Sequence, residues 1–177
     1  MNDGISSDHH LEQFFKLHIP GIDHLVEFVN TKGRGCHVFK KDLWWAYRQI
    51  PIEPQDFLLL GLYIAGSLYF HTAQPFGLRS ANMICQRTTK SVAYILNTKG
   101  ISIDMSINDS YGAESSDSSE LSFQRMNSLF AELGLMDAPE KESPPSHEML
   151  CLGIWINTLD MTLSIPAPAS TCQSLST

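Results

Sequence analysis

Hydrophobic positions change their period several times along the chain, and each change marks an element. In residues 21–30, Ile22, Leu25, Val26 and Val29 fall at helical spacing, and the Gly33-Arg34-Gly35 turn predicts where that helix stops. Residues 37–43 read as a strand that ends near an acidic residue. Residues 58–64 and 67–72 are apolar and β-rich on either side of Ala65-Gly66, which predicts a hairpin. After the Pro75-Phe76-Gly77 turn, Ser80 is placed to cap a helix reaching about Asn97, with Ile84, Thr88, Val92 and Ile95 on one face and Gly100 beyond its end. Residues 101–107 alternate Ile101, Ile103, Met105 and Ile107 with Ser102, Asp104 and Ser106, the pattern of a half-buried strand, and Asn108-Asp109 reads as the turn after it.

Residues 114–119 read as a serine-rich loop, in which Asp117 and Glu120 have the spacing of a capping box. The following helix is expected to bury Ser122, Met126, Leu129, Phe130 and Leu133 and to stop at Gly134. Ser143-Pro144-Pro145-Ser146 reads as a loop, 149–158 and 161–165 as two strands joined through Leu159-Asp160, and 167–177 as a disordered tail. Residues 9–18 have no clean period, and no internal repeat is visible. Strands and helices mixed around one sheet predict an α+β domain over residues 1–166.

Composition fits that picture. The chain has 177 residues, 43% hydrophobic and 18% charged, enough for one globular core. It has no apolar run long enough to span a bilayer, and its polar, acidic start has no basic-then-apolar signal, so an intracellular protein, cytoplasmic or nuclear and without a membrane partner, is expected. Cys36, Cys85, Cys151 and Cys172 are far apart, which argues against a zinc site built on cysteine pairs and against a disulfide framework. The net charge of −7 works against nucleic-acid binding, which gains affinity by neutralising phosphates. The basic clusters Lys32-Gly33-Arg34, Lys40-Lys41 and Arg87 to Lys90 read first as solvated faces.

Two carboxylates stand at strand ends, Asp42 and Asp109. If those strands are neighbours, the pair could hold Mg²⁺ through hard oxygen ligands. Two such ions serve nucleotidyl transfer by activating a hydroxyl and steadying the leaving pyrophosphate. By spacing alone, an aspartate beside an asparagine reads first as a turn residue.

The motifs go further. Residues 39–52, Phe-Lys-Lys-Asp-Leu-Trp-Trp-Ala-Tyr-Arg-Gln-Ile-Pro-Ile, resemble the first palm motif of retroelement reverse transcriptases. Gln74-Pro75-Phe76-Gly77-Leu78-Arg79-Ser80-Ala81 resembles the second. Leu133-Gly134-Leu135, Ala138-Pro139-Glu140-Lys141 and Leu150-Cys151-Leu152-Gly153-Ile154 continue the family's order, so the resemblance covers about residues 2–166. Asn2-Asp3-Gly4-Ile5 and the Leu-Arg-Ser-Ala form resemble the DIRS-type branch, with the gypsy type as its relative.

The resemblance implies an RNA-directed DNA polymerase: a right-hand palm, with a ferredoxin-like antiparallel sheet and helices on one face, plus part of the fingers. Asp42 and Asp109 would hold Mg²⁺ or Mn²⁺, two ions in an active enzyme, and the Leu43 carbonyl could add an oxygen. Leu43, Ala46, Tyr47, Phe76 and Gly77 would line the nucleotide site, with Tyr47 under the sugar. Arg79 would contact template backbone, and Leu152 and Gly153 would belong to a hairpin on the primer end. Lys141 would protonate pyrophosphate or neutralise its charge. A core role for Tyr47 and solvated roles for Arg79 and Lys141 stay open beside these. Implied partners are an RNA template, a DNA primer, deoxynucleoside triphosphates and other parts of a retroelement polyprotein.

The third motif departs from the family. It is an aromatic, any residue and two aspartates, and here it is Ser106-Ile107-Asn108-Asp109. Asn108 keeps an amide oxygen but brings no negative charge. A severe loss of polymerase activity is therefore expected. The chain is also expected to be truncated: it begins after the family's basic fingers residues and lacks thumb, RNase H and recombinase or integrase parts. Lys41 occupies a slot that is usually apolar and buried, where it must find a partner or strain the strand. Three readings follow: a residual polymerase, a catalytically dead domain that binds nucleic acid or a protein, and a decayed remnant without function.

Overall fold

The computed structural model describes residues 17–166. The Asn2-Asp3-Gly4-Ile5 segment, the start of 9–18 and the expected tail 167–177 lie outside the described residues. In chain order the elements are α1 (Ile22–Lys32), β1 (His37–Asp42), β2 (Gly61–Ile64), β3 (Ser67–Phe70), α2 (Ala81–Thr98), β4 (Ile103–Ser106), β5 (Asp109–Glu114), α3 (Ser119–Glu132), β6 (Ser143–Ser146), β7 (Glu148–Cys151), β8 (Ile154–Asn157) and β9 (Thr162–Ser164).

The central sheet has the order β4-β5-β1-β6, with every neighbouring pair antiparallel. Helix α2 leads from β1 to β4 by way of the β2–β3 hairpin, and α3 leads from β5 to β6, so the sheet carries a β-α-β-β-α-β path. The expected α+β class holds. Phe39, Ile103 and Met105 pack on one face against Val92, Ala93 and Leu96 of α2 and Phe123, Met126 and Phe130 of α3. Helices on one face alone was too simple, because the other face is covered too. There Val38, Tyr111 and Ala113 meet Leu25 and Val29 of α1 and Met149, Cys151 and Ile156 of the β7–β8 hairpin. A strand covered on both faces cannot alternate, which is why Val38 and Phe39 are both buried.

The helix at 81–98 presents a different stripe from the expected one. Ala81, Cys85, Gln86, Thr89, Val92, Ala93 and Leu96 are buried, Thr88 is exposed, and Ile84 and Ile95 lie at the margin. Ser80 precedes the helix but makes no side-chain cap, and neither does Ser118, which takes the cap position ahead of α3 in place of Asp117. Leu133 is exposed and Phe123 is buried in its stead. The strand expected over 149–158 is broken by Leu152-Gly153, giving β7 and β8, and β9 completes a three-stranded sheet. The β2–β3 pair forms its own sheet around Ala65-Gly66, with residues 58–60 in a 3₁₀ segment rather than in the strand. No described helix is long and apolar enough to cross a membrane.

One contact limits the sheet closely. Gly112 of β5 lies opposite both Phe39 and Ile103. A Cβ at Gly112 would sit 2.5 Å from the Ser102 carbonyl oxygen and 2.8 Å from the Phe39 ring. Gly112→Ala is expected to destabilise the fold by about 1–3 kcal/mol through overpacking. Urea unfolding measures it, and an unchanged midpoint would mean that β5 moves away at no cost.

Candidate functional site

Strand β1 ends where β5 begins. Asp42 and Asp109 are cross-strand partners, at the last and first positions of their strands. Such directly opposed residues share one side of a sheet, with Cβ atoms roughly 5 Å apart. Asp42 is buried and Asp109 half-buried. The turn that joins β4 to β5 is Ile107-Asn108, not Asn108-Asp109, and Ile107 takes a left-handed φ of 56°. Asp109 is thus held in the ladder rather than free in a turn.

The buried Gln86 of α2 fixes that turn. Its amide donates to the Met105 carbonyl at 2.7 Å, and its oxygen accepts from the Ile107 N–H at 2.7 Å. Asn108 then closes on Asp42. The Asn108 carboxamide donates to Asp42 Oδ2 at 2.8 Å, and the Leu43 N–H donates to the Asn108 carbonyl at 2.8 Å. The Ala138 N–H donates to the Asp42 carbonyl at 2.8 Å, which brings the following turn and Lys141 alongside. Lys141 Nζ lies 3.4 Å from Asp42 Oδ1, on a side chain that is mostly exposed. Asp42, Asn108, Asp109 and Lys141 therefore form one cluster. Gln86 was missed because a glutamine on a helix has no signal until its hairpin is in place.

Burial, and then the charge of Asp42, push the Asp109 carboxyl above its ordinary value of 3.8. A raised acid pKa means that the folded state holds its proton more tightly than the unfolded chain. The resulting stability is present below pH 3.8 and is lost as pH rises through the folded value. Asp109→Asn is therefore expected to raise the melting temperature at pH 7 and to change it little near pH 3. Equal shifts at the two pH values would show that charge is not the cause.

Two opposed carboxylates suit one hard cation, completed by water or phosphate oxygens. Asn108, beside them, offers an amide that already donates to Asp42. Among the described residues, no three His, Cys, Asp or Glu side chains gather as a metal-holding group.

Of the other candidates, Leu43 and Ala46 are buried beside this cluster in sequence, with Ala46 opening the 3₁₀ turn Ala46–Gln49. Tyr47 and Phe76 are brought together, with ring centroids 5.1 Å apart, and the Tyr47 hydroxyl donates to Asn82 Oδ1 at 2.6 Å. Burial and then Cys85 raise the Tyr47 pKa. Phe76 is 63% exposed, and Gly77 follows it with a φ of 81° that favours glycine. Arg79 is exposed. Leu152 and Gly153, both left-handed, make the β7–β8 turn in a separate sheet, which Lys40 ties to β1 by donating to the Leu150 carbonyl at 2.7 Å.

Lys41 found partners. It is 4% exposed, pairs with Asp137 and with Glu142 at 2.9 Å, and lies 5.7 and 5.9 Å from the ring centroids of Phe123 and Phe130. The segment expected as a loop, 143–146, pairs with β1 as strand β6 just beyond these carboxylates.

No protein-family model and no curated protein matches the chain. Solved structures do. A foamy viral protease-reverse transcriptase in complex with dsDNA superposes with a TM-score of 0.71 at 13% identity, over 87% of this chain and 30% of that one. The foamy viral enzyme in complex with an RNA/DNA hybrid gives 0.68 at 16% identity, over 80% of this chain and 18% of that one. This chain thus spans less than a third of the length of either. Its fold is reverse-transcriptase-like.

Proposed function

We propose that the chain carries the nucleotidyl-transfer site of a retroelement reverse transcriptase, reduced to two carboxylates and unable to sustain polymerisation. The observation that carries this is the facing of Asp42 and Asp109 at one sheet end, with Lys141 beside them, in a reverse-transcriptase-like fold. The neighbouring structures were solved with an RNA/DNA hybrid and with dsDNA. An RNA template and a DNA primer are the partners proposed here, with deoxynucleoside triphosphates as the substrate class and other parts of a retroelement polyprotein as further partners.

Asp42 and Asp109 would hold one Mg²⁺ or Mn²⁺. The bound cation would supply charge neutralisation at phosphate oxygens and a lowered pKa for the attacking hydroxyl. Lys141 offers a proton or a positive charge to a leaving pyrophosphate. Tyr47 and Phe76 offer apolar ring surface to a sugar and base, while Gly77 lets backbone approach closely. Asn108 works against the reaction. It contributes no charge to the transition state, and its amide competes for the Asp42 oxygen.

The test is DNA primer extension on an RNA template with Mg²⁺ or Mn²⁺, alongside salt-dependent binding of the same hybrid. No extension by the unaltered chain, with measurable extension by Asn108→Asp, is expected. Robust extension by the unaltered chain would overturn the reading. The capped Asp42 favours one further reading, a catalytically dead domain that binds the hybrid and leaves it unextended. Binding that weakens with salt in both the chain and Asn108→Asp, without extension by either, would select it.

A further inference from the structure

The β2–β3 ribbon stands apart from the body of the fold. It forms its own two-stranded sheet, and none of its side chains enters either core cluster. A two-stranded hairpin is at best marginally stable in water unless an apolar face is covered. This one is apolar on both faces. Tyr63 and Leu68 are cross-strand partners on one face, and Leu62 and Tyr69 on the other. The alternation with polar side chains that marks a ribbon with one wet face is missing. The pattern is that of strands covered on both sides.

The ribbon is nevertheless open to solvent. All four residues of β3 are exposed, and Tyr63 of β2 is 75% exposed. Leu58, in the 3₁₀ segment that leads into β2, is 78% exposed, and Leu59 beside it is exposed as well. Single exposed apolar side chains are ordinary, but these follow one another along one hairpin. With a whole aromatic side chain worth about 150–250 Å² and these side chains mostly half to three-quarters exposed, the patch amounts to roughly 600–900 Å². The largest patch on a typical monomer is about 300–600 Å². One partner in a stable protein interface contributes about 800 Å².

Charge selects the occupant. Between Asp56 and Arg79 the sequence has no Asp, Glu, Lys or Arg, and Arg48 meets the base of the ribbon through His71 at 2.9 Å. A nucleic acid or a strongly charged partner finds no counter-charge along such a surface. A second copy needs none. Two chains of net charge −7 repel wherever their acidic surfaces meet, so an uncharged patch is where they approach without like charges in apposition. A two-fold dimer brings the same patch of both copies together.

We propose that the β2–β3 hairpin, with Leu58 and Leu59, is a homodimer interface that buries the ribbon against the same ribbon of a second copy. The interface is independent of the nucleotidyl-transfer reading, since neither Asp42 nor Asp109 takes part in it.

The experiment follows the mass of the whole chain by sedimentation equilibrium from about 1 to 200 µM, a range suited to an interface of this size. The mass is expected to rise from one chain to two and to stop there. Added salt should favour the dimer, because it screens the net charge of −7 on each copy while the hairpin itself carries no charge to lose. Amide hydrogen exchange in residues 61–70 should slow with concentration in the unaltered chain, a readout that needs no variant to fold. Leu68→Glu should weaken association about tenfold or more by burying an unpaired charge, while the dilute chain keeps its circular dichroism spectrum. Leu163→Glu, at an exposed position of β9, should leave the dimer unchanged. A chain that stays single at 200 µM, growth beyond two chains, or a dimer indifferent to Leu68→Glu with unprotected 61–70 amides would each overturn the proposal.

Discussion

Removing Asp137 and Glu142 together by substitution with alanine is expected to cost the fold about 3–5 kcal/mol, because it strands a buried charge. Lys41 is 4% exposed, whereas the side chains of Asp137 and Glu142 keep 31% and 25% of their surface in water. The pair is thus asymmetric. Without its carboxylates, the Lys41 ammonium has the Phe123 and Phe130 rings as neighbours, and cation–π attraction offsets at most about 2 kcal/mol. Without Lys41, the two carboxylates can turn to solvent, so Lys41→Met is expected to cost less than the double substitution. The triple variant, with methionine at Lys41 and alanine at both acids, is expected to regain most of the loss, since an apolar side chain suits that slot. Urea unfolding of the four proteins forms a cycle whose strong non-additivity is the signature. Additive losses would mean that Lys41 is solvated and that its ion pairs are incidental.

Lys41 also shows how far the sequence reaches. Its slot was legible as buried because the motif around Asp42 resembles one in which that position is apolar. Its partners were not legible, for Asp137 lies 96 residues further on and no period links the two. Strand β1, the β2–β3 turn, α2 and the alternating 103–106 segment were readable because one of their faces, or their turn, carries a local signal. Strand β5 was not. Ser110, Tyr111, Gly112, Ala113 and Glu114 are all buried, so the segment has no polar alternation to betray it. Strand β6 was hidden by Pro144 and Pro145, which are tolerated because it is an edge strand with an irregular register against β1. The facing of Asp42 and Asp109 depends on β5 alone, which is why spacing could offer the pair only as a conditional. The motif resemblance supplied what periodicity lacked.

Asn108→Asp is expected to reverse its effect on stability as divalent cation is added. Without cation the substitution removes the 2.8 Å hydrogen bond from the Asn108 amide to Asp42 Oδ2 and puts a carboxylate in its place. A lost hydrogen bond to a charged group costs about 1.5–3 kcal/mol, and repulsion from Asp42 and Asp109 adds to it. Lys141, mostly exposed and 3.4 Å from Asp42 Oδ1, is too solvated to offset a third charge. The melting temperature of Asn108→Asp should therefore fall below that of the unaltered chain in chelator. Three carboxylates hold Mg²⁺ or Mn²⁺ more tightly than two, and ligand binding to the folded state alone stabilises it by about 2.7 kcal/mol once the free ion reaches a hundred times its Kd. The variant should accordingly overtake the unaltered chain as Mn²⁺ is raised into the millimolar range, while Asp42→Ala in the same background erases the crossover. A melting-temperature gap that stays constant from chelator to millimolar Mn²⁺ would mean that residue 108 faces no cation site. The same substitution would then act on the hairpin turn alone, and the loss of one carboxylate could not account for an inactive chain.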